Sequence, residues 1–91
     1  SNFEQAFTLF MQAAMLGEPK SMGAVARAYF LNEGVDENQL EGLAWLINAA
    51  ELHYEPAIKK SESFKINEPE FYEEASILAK QFNQQSLNTP H

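Results

Sequence analysis

The chain has 91 residues, 45% of them hydrophobic, no cysteine, and a formal charge of −7 from six basic and thirteen acidic side chains. That length makes one domain with a single modest core, and the absence of cysteine excludes disulfide frameworks, cysteine-ligated zinc and thiol nucleophiles. The acidic balance disfavours nucleic-acid backbones and anionic membrane surfaces, where each contact adds repulsion instead of releasing counterions.

Ser1-Asn2 reads as a tag remnant ahead of Phe3. Phe3, Phe7, Phe10 and Ala14 then recur at i, i+4, i+7 and i+11, the spacing of one helical face, which predicts a first helix over about 3–16. Gly17 suits the left-handed stop of that helix, and Pro19 suits the first position of the next. Met22, Val25, Ala26, Tyr29 and Phe30 mark a second apolar stripe over about 19–31, broken by Asn32-Glu33-Gly34-Val35. Asp36 followed by Gln39 reads as a capping box opening a third helix, about 37–53, with Leu40, Leu43, Ile47 and Ala50 on its inner face. A fourth helix, about 55–65, opens at Glu55-Pro56 with thinner apolar content. A fifth, about 67–86, carries Phe71, Ala75, Leu78 and Phe82 at helical spacing. The tail 87–91 has little to hold it and is expected to fray.

The first and third helices repeat each other. The stretch from Ala6 to Gly17 matches the stretch from Gly42 to His53 at an offset of 36, with small residues at 6/42, 13/49 and 14/50 and large apolar ones at 7/43, 9/45, 10/46 and 11/47. A period in the thirties is that of a helix-turn-helix solenoid unit. The twin alanines, Ala13-Ala14 and Ala49-Ala50, leave little side chain where two helices cross, so that backbones approach closely.

These residues resemble the Sel-one-like repeat, a relative of the tetratricopeptide repeat. The resemblance is carried by Ala6-x-x-Leu9-Phe10-x-x-Ala13-Ala14-x-x-Gly17, then Val25-Ala26-x-x-Tyr29, then Gly34-Val35, and by a second copy with Trp45, Leu46, Ala49, Ala50 and Ala57. It covers roughly residues 3–58. Asn32 stands where the family has the first glycine of its loop, and Ser61, Glu62 and Lys65 stand where a full second copy would show Leu, Gly and Tyr. The resemblance implies an all-α fold: a short α-solenoid of antiparallel helix pairs with a C-terminal capping helix. One domain over 3–86 would divide into repeat one (about 3–35), a partial repeat two (about 37–65) and the cap (about 67–86).

The resemblance further implies adaptor work, a groove holding a protein or peptide, as in bacterial signalling, envelope and host-interaction systems and eukaryotic degradation complexes. By analogy with helical-repeat grooves, the first helix of each pair lines the wall. The polar positions there at the repeat offset are Gln5/Glu41, Gln12/Asn48 and the pair Thr8/Ala44. Tyr29 and Trp45 are expected to pack between helices, Met11 and Met15 to pack under the second helix or meet a neighbour, and Tyr54 is a candidate surface anchor. His53 lacks partners with metal-ligand spacing, and His91 lies at the terminus. Glu68, Glu70, Glu73 and Glu74 read as a solvated helix start matched to the helix dipole. No glycine-rich phosphate loop, Ser-His-Asp set or metal-spaced cluster exists, so the sequence points to no enzyme, no cofactor and no metal. Two alternatives to the adaptor stand beside it, a homodimer formed through an exposed end and a terminal fragment of a longer repeat protein. The compartment, cytoplasmic or periplasmic, is left open.

Overall fold

The computed structural model describes the backbone of residues 2–88 and the side chains of residues 2–83. Its elements are α1 (Asn2–Met15), α2 (Pro19–Leu31), α3 (Gln39–Glu51), α4 (Glu55–Asn67) and α5 (Pro69–Asn88), with no strand among the described residues. The all-α expectation holds. The fifth helix continues two residues beyond its expected end, while Ser1, the rest of the expected frayed tail and His91 lie outside the described residues.

The two similar stretches end in the same turn. After α1 the Gly17 N–H bonds to the Ala14 carbonyl (2.9 Å) and the Glu18 N–H to the Ala13 carbonyl (3.2 Å). After α3 the His53 N–H bonds to Ala50 (2.9 Å) and the Tyr54 N–H to Ala49 (3.1 Å). Both are Schellman closures, a 5→2 and a 6→1 bond around a residue of positive φ. That residue is Gly17 (φ +93°) in the first and His53 (φ +64°) in the second. The twin-alanine positions thus stand at the last carbonyls of each helix that the turn engages, bonds that any residue's backbone would make. Each turn then opens a 13-residue helix with proline in its first turn, and α2 and α4 begin 36 positions apart.

The helix starts differ. Glu18 caps α2 with its carboxylate, which accepts from the backbone N–H groups of Lys20 and Ser21 and from the Ser21 hydroxyl. Tyr54 stands at the same place before α4 and makes no side-chain cap. The third helix begins two residues later than the sequence suggests. Asn38, not Asp36, is its N-cap, accepting the Glu41 N–H at 3.0 Å, and Gln39 instead reaches back to the Phe30 carbonyl and the Glu37 carboxylate. The reason is tertiary: the Asn38 N–H is tied to the Tyr29 carbonyl (3.1 Å), which pulls 36–38 out of the helix and along the end of α2. In the same loop Gly34, at φ +82°, lies against the first turn of α1, and a Cβ there would collide with the Phe3 backbone carbonyl. Glu68 alone separates α4 from α5, giving its N–H to Phe64 and its carbonyl to the Tyr72 N–H.

The core is centred on α3, which packs against α2, α4 and α5, while α1 packs against α2. Residues 42–49 of α3 are buried without interruption, with Leu43, Ala44 and Ala49 fully enclosed. Gly42 sits under the Phe30 ring of α2, where an added Cβ would come within 3.0 Å of the ring. Trp45 stacks on Phe82 of α5 (4.9 Å), Phe30 stacks on Phe64 (5.8 Å), and Tyr29 meets Phe7 edge-on (5.4 Å). In α1 the expected face is rotated. Phe7, Met11 and Ala14 point inward, whereas Phe3 and Phe10 are exposed. The helix is apolar around more than half of its circumference, its polar residues Asn2, Glu4, Gln5, Thr8 and Gln12 filling an arc of about 160° at 3.6 residues per turn. Periodicity alone therefore does not select which apolar side is buried.

Candidate functional site

A groove of about 390 Å³ lies between α1, the start of α2, α3 and α5. Met11 and Met15 come from consecutive turns of α1 and Met22 from α2, so all three methionines of the chain line this one cleft. Trp45 and Phe82 supply its aromatic wall, and Leu52 its far end. Met15 is 56% exposed, Met11 half-buried and Met22 buried, a gradient from rim to base. Unbranched, polarisable thioethers adapt to irregular apolar shapes, and they recur where a surface must accept varied apolar side chains. The volume falls in the range of sites that enclose a drug-sized ligand or a few side chains of a peptide.

Glu41 is the one ionisable side chain among the described residues of the lining. Burial pushes its carboxyl above the ordinary glutamate value. The Tyr29 hydroxyl is raised too, first by burial and then by the charge of Glu41. Next to the groove, two donors on successive turns of α3 are buried without an acceptor among the described side chains, Trp45 Nε1 and Asn48 Nδ2. Asn48 meets α5 through its other end, accepting from Asn83 Nδ2 at 3.2 Å. The stack of Trp45 on Phe82 and the Asn48–Asn83 bond together set the register of α5 on α3, and leave two N–H groups without an acceptor among the described residues.

Of the side chains expected on the wall, Glu41 reaches the groove. Asn48 is enclosed in the seam between α3 and α5, and Ala44 is fully buried. Gln5, Thr8 and Gln12 are exposed on α1 and do not border the groove, the Thr8 hydroxyl turning back to the Glu4 carbonyl (3.0 Å). The paired positions part because α5 lies over the third helix and not over the first. Tyr29 and Trp45 pack between helices as expected, and Tyr54 lies half-buried with its ring against Gly23. His53 is exposed at its turn, and Glu68, Glu70, Glu73 and Glu74 are exposed at the start of α5. What the sequence reading passed over is Met22, along with the contribution of Phe82 and Asn83. The only signal available was the rarity of methionine, three residues that all converge here.

Among the described residues no cluster of three His, Asp or Glu could hold a metal ion, and no helix is long and apolar enough to cross a membrane. Comparison of the chain with protein-family models, with curated proteins and with solved structures finds no match.

Proposed function

We propose that this chain is a non-catalytic protein-interaction module, a short solenoid of antiparallel helix pairs capped by α5, which holds an apolar segment of a partner protein in the methionine-lined groove. The observation that carries this reading is the gathering of all three methionines with Trp45 and Phe82 around one cleft whose described lining includes a single ionisable residue. Nucleophilic catalysis pairs a nucleophile with a base, and the described lining offers no Ser, Thr, Lys or His for such a pair, whereas binding needs shape, apolar surface and a few polar contacts. The recurrence of one turn and one 13-residue helix at an offset of 36, together with the resemblance to Sel-one-like repeats, supports the adaptor architecture.

Panning a random peptide library displayed on phage against the immobilised protein tests it. Apolar peptides should be enriched, and Met15→Glu, a change at an exposed rim position, should weaken the best of them at least about tenfold with the melting temperature unchanged. Enriched peptides that bind Met15→Glu and Met11→Glu as tightly as the parent would remove the groove from the proposal.

A second reading, association between copies, is favoured by a different observation. Leu9, Phe10 and Leu16 of the first helix and its turn are exposed together with Phe3. Light scattering across a concentration series separates the two readings. A mass that stays monomeric at every concentration discards self-association and leaves the groove untouched.

A further inference from the structure

A second groove, about 460 Å³, runs along α2 and shares no lining residue with the first among the described residues. Its electrostatics are the reverse of the molecule's. Of six basic residues in a chain of charge −7, three border it: Lys20, Arg27 and Lys60. The one acidic residue among the described lining residues is Glu18, whose carboxylate is already engaged by the N–H groups of Lys20 and Ser21 and by the Ser21 hydroxyl. Between the cations lie aromatic surfaces: Phe10, 43% exposed, with Phe30 and Tyr54 half-buried. The Lys60 ammonium stands 4.6 Å from the centre of the Phe30 ring, and Arg27 touches Glu33 only at its outer edge, at 3.4 Å with its side chain 70% exposed.

We infer that the groove along α2 docks a short acidic segment of a partner protein, one that places an aromatic or aliphatic side chain between two carboxylates. Charge complementarity selects the acidic ends. The remaining charge of the protein repels a long polyanion such as a nucleic acid, so a short segment that also gains apolar contact is the favoured occupant. Lys20 and Arg27 stand two turns apart on α2, about 10 Å along its axis. A segment in the polyproline II conformation covers about that distance in three residues and returns its side chains to the same face every third residue, which sets the spacing of the two carboxylates.

The test is an NMR titration of the isotope-labelled protein with an end-capped Gly-Glu-Phe-Leu-Glu-Gly peptide. Shift changes should cluster at 20–30 and 54–60, and affinity should fall as salt is raised. The double variant Lys20→Glu/Arg27→Glu changes two exposed side chains. It should retain its amide spectrum and bind at least about tenfold more weakly. Met15→Glu, in the other groove, should bind within a factor of about two of the parent, which keeps this result separate from the fate of the methionine groove. Four outcomes would each overturn the inference: absence of binding at millimolar peptide, shifts confined to the methionine groove, undiminished binding by the double variant, or equally tight binding by an all-glutamate peptide or an oligonucleotide of equal charge.

Discussion

The first and third helices carry nearly the same pattern of small and large side chains, yet they live in different surroundings. Leu46 is 5% exposed and its counterpart Phe10 is 43% exposed; Ala49 is fully enclosed and its counterpart Ala13 is half-buried. The difference lies in the neighbours. α3 is packed by α2 on one side and by α4 and α5 on others, whereas α1 packs against α2. The shared pattern thus specifies which faces can be covered, and the position of each helix in the chain decides which of them are.

The largest break in that comparison should come from overpacking. Ala49→Leu forces a larger side chain into an enclosed site and should cost about 1–3 kcal/mol. Ala13→Leu, at the equivalent but half-open place, should cost less than about 1 kcal/mol. Denaturant melts of the two variants check this, and equal losses would mean that the open side of α1 is in fact filled in solution.

A smaller effect is expected at the matched turns. His53 holds a positive φ that glycine adopts without penalty, so His53→Gly should raise stability by about 0.5–1 kcal/mol. Gly17→Ala, at φ +93°, should lower it by about 1–2 kcal/mol. Opposite signs in the two melts are the expected result, and a loss in both would show that His53 makes contacts outweighing its backbone strain.

The pH dependence should be slightest. The Ser21 hydroxyl, joined by backbone N–H groups, holds the Glu18 carboxyl below its ordinary pKa. Its folded-state pKa is depressed, so its contribution is present above the unfolded value and is lost as pH falls through the folded one. Glu41 works the other way. Burial raises its pKa, so its ionisation opposes folding at neutral pH, and that opposition is relieved as pH falls through its folded pKa. Glu18→Gln should therefore lower the melting temperature at pH 7 and make it less acid-sensitive. Glu41→Gln should raise it at pH 7. Neither residue has an acidic counterpart in the other copy, where Tyr54 and Gln5 stand.

Helix positions were legible because their punctuation is local. Gly17, Pro19, Pro56 and Pro69 act within a turn of themselves, and all five starts lie within two residues of their expected places. The exception in cause is α3. Asp36/Gln39 and Asn38/Glu41 have the same capping spacing, and a bond from Asn38 to Tyr29 chooses between them. The candidate site was less legible. Glu41 was found because the repeat offset pairs it with a polar residue on a shared face. Asn48 was drawn to the same wall by the same logic, but α5, more than thirty positions away, covers it. The basic groove was invisible for a related reason: Lys20, Arg27 and Lys60 are scattered along the chain and meet only when α2 and α4 are side by side.

The uncovered side of α1 has a consequence for handling the protein. With a charge of −7, copies repel one another in dilute buffer, and that repulsion opposes contact through the patch around Leu9, Phe10 and Leu16. At physiological ionic strength the repulsion decays over about 8 Å, whereas the attraction between oily patches does not weaken with salt. Colloidal stability should accordingly be best in low-salt buffer well above the isoelectric point and worst in concentrated sulfate, where excluded salt strengthens apolar contact.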